Sequence, residues 1–113
     1  ERIRAKGAGL GGVLTATGLG TIIEKGKEKV TVDGKEYLLE KPLGADVALL
    51  GASIADESGN LIYKGTTQNF NPTMATAADL VIVEAEEVVK TGELSPESIH
   101  TSGVYVDYIY KKQ

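Results

Sequence analysis

Few residues in this sequence have the chemistry of a reactive site: one histidine, His100, three glutamates at positions 84, 86 and 87, and an uncharged stretch over residues 7–21 with six glycines and three threonines. His100 stands between Ile99 and Thr101-Ser102-Gly103. An imidazole there is a candidate acid/base group, but a loop histidine more often makes one backbone hydrogen bond, and that is the expected role. Glu84, Glu86 and Glu87 are candidate nucleophiles or metal ligands. Following the apolar run Leu80-Val81-Ile82-Val83, they read more simply as a solvated strand end. Tyr105, Tyr108 and Tyr110 are too few and too close together for a base-stacking platform, and Met74 reads as core filler. The sequence has no Ser/His/Asp, phosphate-loop or metal-ligand spacing.

The glycine-rich stretch is the most unusual feature. Glycine is favoured where the backbone must adopt positive φ or let another group come close, and elsewhere it costs conformational entropy. The expectation is a shaped loop whose N–H groups receive an anion, a carbonyl oxygen or a neighbouring chain. The alternative is a connector packed against a partner protein, and composition leaves both open. Gly7, Gly9 and Gly12 fit G-x-G-x-x-G, but that fingerprint needs a strand before it and a helix after it. No strand precedes, and Leu14-Thr15-Ala16-Thr17-Gly18-Leu19-Gly20 opens a helix poorly, so dinucleotide binding is set aside.

The surrounding elements follow from patterning. Residues 1–6 read as a last helical turn capped by Gly7. Asp33-Gly34 between Lys29-Val30-Thr31-Val32 and Glu36-Tyr37-Leu38-Leu39 predicts a peripheral hairpin. Residues 46–54 form an apolar run bounded by turn residues, the pattern of a strand covered on both faces. A turn over residues 56–60 and a short strand over 61–63 follow. Asn69-Phe70-Asn71-Pro72 predicts a helix start, with the helix over residues 73–78. Residues 80–83 read as a second buried strand. Gly92 breaks the chain, Ser95-Pro96-Glu97-Ser98 predicts one helical turn, and residues 104–110 alternate as a half-covered strand. Strands interleaved with short helices predict an α/β layered domain.

Length and composition bound the function. With 113 residues and 42% hydrophobic content, one core is expected, with no internal linker. A formal charge of -4 with dispersed lysines and arginines argues against nucleic-acid and anionic-membrane surfaces, which need clustered positive charge. The absence of cysteine removes disulfides, zinc-thiolate sites and cysteine nucleophiles. No apolar run approaches the ~20 residues that span a bilayer, and no secretory segment opens the chain. The expectation is a cytoplasmic protein with no metal site. Glu1-Arg2-Ile3-Arg4-Ala5-Lys6 reads as the interior of an element, as in a piece of a longer polypeptide.

Eight spaced blocks make the reading more specific: Glu1-Arg-Ile-Arg-Ala5, Gly7-Ala-Gly-Leu-Gly11, Thr15-x-Thr17-Gly18-x-Gly20-Thr21, Asp33-Gly34-Lys-x-Tyr37-Leu-Leu-Glu40, Ala45-Asp46-x-Ala48-Leu49, Ala55-Asp56-x-x-Gly59-Asn60, Asn69-Phe70-Asn71-Pro72 and His100-Thr-x-Gly103-Val-Tyr-Val-Asp107. In this order they resemble the alpha subunit of short-chain acyl-CoA:carboxylate CoA-transferases, the acetate, butyrate–acetoacetate and 3-oxoacid enzymes. The resemblance runs over essentially the whole chain and covers about the C-terminal half of that polypeptide. It implies a layered α/β/α fold with an open, largely parallel sheet, short helices and a peripheral hairpin, and residues 1–113 as the C-terminal portion of a single domain.

The resemblance also implies an activity. Members move coenzyme A, a substrate rather than a permanently bound cofactor, between an acyl-CoA such as acetyl-CoA and acetoacetate, acetate or butyrate. The reaction is ping-pong, through a glutamyl-CoA thioester on the beta subunit. That glutamate lies in a Glu-Asn-Gly context absent here, so Glu84, Glu86 and Glu87 do not inherit its role and no catalytic residue is assigned to this chain. The Gly-Gly-Phe and Pro-Gln-Gly-Thr segments of the N-terminal half are also absent, and the chain is expected to be inactive alone. The resemblance places Gly7, Gly9, Gly11, Gly12, Val13, Leu14, Thr15, Thr17, Gly18, Gly20, Asn69 and Asn71 at the acyl pocket and subunit interface of an alpha2beta2 hetero-oligomer, where backbone amides steady developing negative charge. Gly12→Val or Thr17→Val is expected to impair turnover more than folding. Three positions depart from the pattern: Ala16 and Ser102 stand where many members have Pro, and Gly44 where many have Arg. The alternative reading is a non-catalytic binding or regulatory module that keeps the fold.

Overall fold

In the computed structural model, which describes residues 1–113, two sheets divide the chain. The first is antiparallel, in the order β1-β3-β2, with β1 at Val13–Thr15, β2 at Lys29–Val32 and β3 at Lys35–Glu40. The predicted hairpin is present: Val32 pairs with Lys35, and Asp33 and Gly34 both have positive φ, 51° and 78°. This is the primed turn whose twist matches the flanking strands. The ribbon is not isolated, because Val13, Leu14 and Thr15 pair with Glu40, Leu39 and Leu38 on the other edge of β3. The glycine-rich stretch therefore contains a strand where a loop was expected. Its ungapped Val-Leu-Thr core has the residue types that suit a pleated edge.

The second sheet has the order β5-β4-β6-β7, with β4 at Ala45–Asp56, β5 at Leu61–Ile62, β6 at Ala78–Val89 and β7 at Tyr108–Lys111. β4, β6 and β7 run parallel and β5 is antiparallel to β4, so the sheet is mixed and largely parallel, in an α/β fold. The β4–β6 ladder runs from Ala45 opposite Ala78 to Asp56 opposite Val89. It carries β6 straight through Glu84, Glu86 and Glu87, which patterning took as the strand's end; backbone pairing to a long neighbour outweighs a local charge pattern.

Alternation along the ladder sets the core. Ala48, Leu50 and Ala52 of β4 and Val81, Val83 and Ala85 of β6 are buried on one face together with Ala75, Leu61 and Tyr63. On the other face Val47 and Leu49 are exposed. β4 is thus covered on one face only over its first half, not on both as its apolar run suggested.

Helix α1 (Arg2–Gly7) ends one residue later than expected. The amide of Leu10 donates to the Ala5 carbonyl at 2.9 Å and that of Gly9 to Lys6 at 3.2 Å. With Gly9 at φ 70°, this is a Schellman cap, so Gly9 is the capping glycine and Gly7 lies inside the helix. Gly7 instead permits close packing on the turn after α2: a Cβ there would sit 1.9 Å from Thr76 Oγ1. Helix α2 (Asn71–Met74) is a single turn, shorter than residues 73–78, because β6 begins at Ala78.

The C-terminal segment also departs from its alternating pattern. Pro96–Ser98 forms the expected turn, but a second 3₁₀ turn at Gly103–Tyr105, capped by Ser102 Oγ accepting from the Val104 amide at 3.3 Å, shortens the strand to β7. Asp107 enforces this break. Its carboxylate accepts from the Val81 amide at 2.8 Å and its amide donates to the Val81 carbonyl at 3.0 Å.

Replacing Gly7 by Ala sets helix propensity, which favours Ala by about 1 kcal/mol, against a clash with both Oγ1 and Cβ of Thr76. The clash prevails, with an expected net loss of about 1–3 kcal/mol. Urea denaturation checks this, with a lower midpoint at unchanged slope.

Candidate functional site

An open groove of about 420 Å³ lies between the start of α1 and the three-stranded sheet. Val13, Leu14, Thr15 and Thr17 form one wall, and Glu1, Arg2, Ile23, Lys27 and Glu40 complete it. Four expected site residues are therefore gathered in one place. Asn69 and Asn71 are not among the lining residues. Asn69 is exposed in the segment leading to α2, and Asn71 Nδ2 donates to the Thr67 carbonyl at 2.6 Å instead of capping the helix.

The glycines of the stretch divide by what their backbones do. Gly7 and Gly9 shape the end of α1, as above. Gly12 has φ 143°, and a Cβ there would lie 2.8 Å from the Glu40 carbonyl, so Gly12 lets β1 enter its pairing with β3. Gly18, at φ 92°, faces Ile23 and the buried Leu38, and Gly20, at φ 73°, has open space where a side chain would be. Gly11 also has open space. Gly12→Val therefore strains the fold itself, whereas Thr17, exposed and offering its side chain to the groove, is the cleaner probe of function.

The expected anion cradle is largely occupied from within. The amides of Gly9, Leu10, Leu19 and Thr21 donate to carbonyls of residues 5–18, and the Thr17 amide donates to Thr15 Oγ1 at 3.1 Å. The Gly20 amide donates to Glu24 Oε2 at 2.7 Å, and Thr21 Oγ1 to the Gly18 carbonyl at 2.6 Å. Glu24 thus supplies the anion itself. Its other oxygen meets Lys29 Nζ at 2.6 Å, which ties the stretch to β2. The Lys29 ammonium first, and then the Gly20 amide, hold this carboxyl below the usual carboxylate range. On the opposite wall Lys27 and Arg2 both approach Glu40, and Arg2 Nε donates to the Lys41 carbonyl at 2.8 Å. Sequence reasoning missed Arg2, Lys27 and Glu40, because nothing in their spacing separates groove-lining charges from a solvated face.

The other candidates fall outside the groove. His100 makes the backbone contact expected of a loop histidine: its Nδ1 accepts from the Tyr63 amide at 2.9 Å, with the two rings stacked at 6.1 Å. Tyr63 is buried and its hydroxyl bonds Thr101 Oγ1 at 2.8 Å; burial pushes its phenol above the usual range. Glu84 faces Tyr110 across the β6–β7 ladder. Hydrogen bonding to that carboxylate raises the Tyr110 phenol. Glu86 and Glu87 are exposed. The order of elements also disposes of the dinucleotide spacing, since Gly7 ends a helix and a strand, not a helix, follows Gly12.

A mixed sheet with short helices on a largely parallel framework defines an α/β domain, and its shape is shared with an acyl-CoA transferase apoenzyme from Escherichia coli O157:H7. The TM-score is 0.89 at 23% identity, over 98% of this chain and 25% of that one. The description Coenzyme A transferase matches residues 1–112, and the chain belongs to that family. It is 63% identical over 112 residues to the acetoacetyl-CoA:acetate/butyrate CoA transferase alpha subunit of Clostridium acetobutylicum, covering 99% of this chain and 51% of the relative. It is 53% identical over 113 residues to the alpha subunit of the acetate CoA-transferase of Escherichia coli K12, covering 100% and 51%. The chain spans about half the length of the curated relatives it matches. No helix is long and apolar enough to cross a membrane.

Because the folded-state pKa of Glu24 is depressed, its contribution is fully present above the unfolded carboxylate value and is lost as pH falls through the folded one. Wild type is therefore expected to melt above Glu24→Gln at neutral pH, with the gap closing as pH falls below the usual carboxylate range. Paired thermal melts across that range check the sign.

Proposed function

We propose that residues 1–113 are the C-terminal portion of the alpha subunit of a short-chain acyl-CoA:carboxylate CoA-transferase, which moves coenzyme A between an acyl-CoA such as acetyl-CoA and acetoacetate, acetate or butyrate. The observation that carries this reading is the 63% identity, over 99% of the chain, to the alpha subunit of an acetoacetyl-CoA:acetate/butyrate CoA transferase. The chemistry falls to a glutamate of the beta subunit, with coenzyme A as a passing substrate and an alpha2beta2 assembly. This chain contributes a wall of the acyl pocket.

The groove supports that division of labour. It joins the apolar Val13 and Leu14 to the small hydroxyls of Thr15 and Thr17, surfaces that suit a short acyl group and its carbonyl. Its two carboxylates are both engaged, Glu40 by Lys27 and Arg2 and Glu1 by Arg4, which leaves neither well placed as a nucleophile. Lined by Gly11, Gly12, Gly18 and Gly20, the rest of the stretch offers backbone instead of side chains to an approaching partner. Gly7 and Gly9 act one step back by setting the angle of α1, and Asn69 and Asn71, at the start of α2, belong to the subunit interface.

The test uses the full-length alpha subunit carrying this sequence together with its beta subunit. Exchange of CoA between acetyl-CoA and acetoacetate or butyrate is expected, and its absence would sink the transferase assignment. Thr17→Val is expected to lower kcat/KM about tenfold, equivalent to about 1.4 kcal/mol of transition-state stabilisation, at an unchanged melting temperature. Full activity in Thr17→Val would remove the groove from the acyl pocket.

A further inference from the structure

The register of the four-stranded sheet aligns an uncovered apolar surface. Val47 pairs with Leu80, and Leu49 with Ile82, which in turn pairs with Tyr108. In a parallel ladder paired residues point to the same side, so these five side chains share the face opposite the core. Leu49 is 71% exposed, Tyr108 63% and Val47 44%. Parallel strands are found almost always with both faces covered, and here only one is. The 3₁₀ turn at Gly65–Gln68 meets β4 near its carboxyl end, where Ser53 Oγ lies 3.3 Å from Thr67 Oγ1.

We propose that this face is the docking surface for the part of the alpha subunit lying outside these 113 residues. The proposal rests on the half-subunit reading above. Two observations select this occupant. The relatives are about twice as long as the chain, 51% of each being covered, so a second half exists in them to supply a layer. The open face also continues into an apolar cleft of about 290 Å³ where Val47 meets Ile3, Leu43 and Met74. Ile3 belongs to the first turn of α1, so a segment preceding Glu1 enters beside the surface it covers. Towards the carboxyl ends of the strands the face turns polar at Glu84 and Tyr110. The covering layer is therefore apolar over Leu49 and Ile82 and carries a hydrogen-bonding or basic group at the Glu84 end.

The experiment is thiol labelling of the isolated full-length alpha subunit, without its partner, with any cysteines outside this segment changed to serine. Leu49→Cys is compared with Lys35→Cys, which lies on the solvent-facing hairpin, using a maleimide reagent. Reaction of Leu49→Cys at least 100-fold slower than Lys35→Cys, independent of protein concentration, is the expected result. Equal rates would show the face open in the whole polypeptide and overturn the proposal. So would protection that disappears on dilution, which assigns the face to a second copy, or protection that appears only when the beta subunit is added. CoA exchange by the unmodified proteins is measured separately, so a failed transferase assignment is distinguishable from a failed docking surface.

Discussion

The parallel ladder between β4 and β6 is the constraint on which the rest of the structure depends. Two strands of 12 residues each lie in register over nearly their whole length, and the alternation they impose decides what is core. Alanine fills many of the buried positions, at Ala48, Ala52 and Ala85. Small side chains bring neighbouring layers close, so Ala75 at the end of α2 can lie on the sheet. Tyr63 fills the wider end under β5, where Thr101 satisfies its hydroxyl. The polar clasp at that end is equally complete: Asp56 accepts from the amides of Ser58 and Asn60 and from Asn60 Nδ2, while Asn60 Oδ1 accepts from the Gly103 amide.

The three-stranded sheet is attached to this frame through α1. The Leu43 amide donates to the Arg2 carbonyl at 3.0 Å, and Arg2 Nε reaches the Lys41 carbonyl. Gly7 sets how closely the helix approaches the α2 turn, and the Schellman cap at Gly9 sets the direction in which the chain leaves it. The groove is therefore built from the relation between α1 and the three-stranded sheet, and not from any single loop. Its threonines stand on β1 and the turn after it, a rigid base compared with the glycines on either side.

Much of this was legible in the sequence. Asp33-Gly34 announced its turn because both residues tolerate positive φ, the apolar run near residue 50 announced the central strand, and the eight spaced blocks announced the family that the relatives bear out. What was hidden depended on partners distant in sequence. Val13, Leu14 and Thr15 became a strand because β3 offered a free edge some 25 residues later. Glu84, Glu86 and Glu87 stayed in β6 because β4 continued beside them. The solvent exposure of Leu49 could not be read from an apolar run, since a run reports only that both faces are hydrophobic. In the site, Glu24 was invisible as the internal partner of Gly20, because an acid after two isoleucines has no signature of turning back onto a glycine amide.

The lateral edges of the four-stranded sheet are guarded while its face is not. At one edge β5 is only two residues long and its end is bridged by Thr101. At the other, β7 finishes in Lys111 and is followed by Lys112, positive charges that resist strand addition. Self-association of this chain is thereby steered away from edge-to-edge growth, the geometry that leads to fibrils, and towards stacking of one apolar face on another.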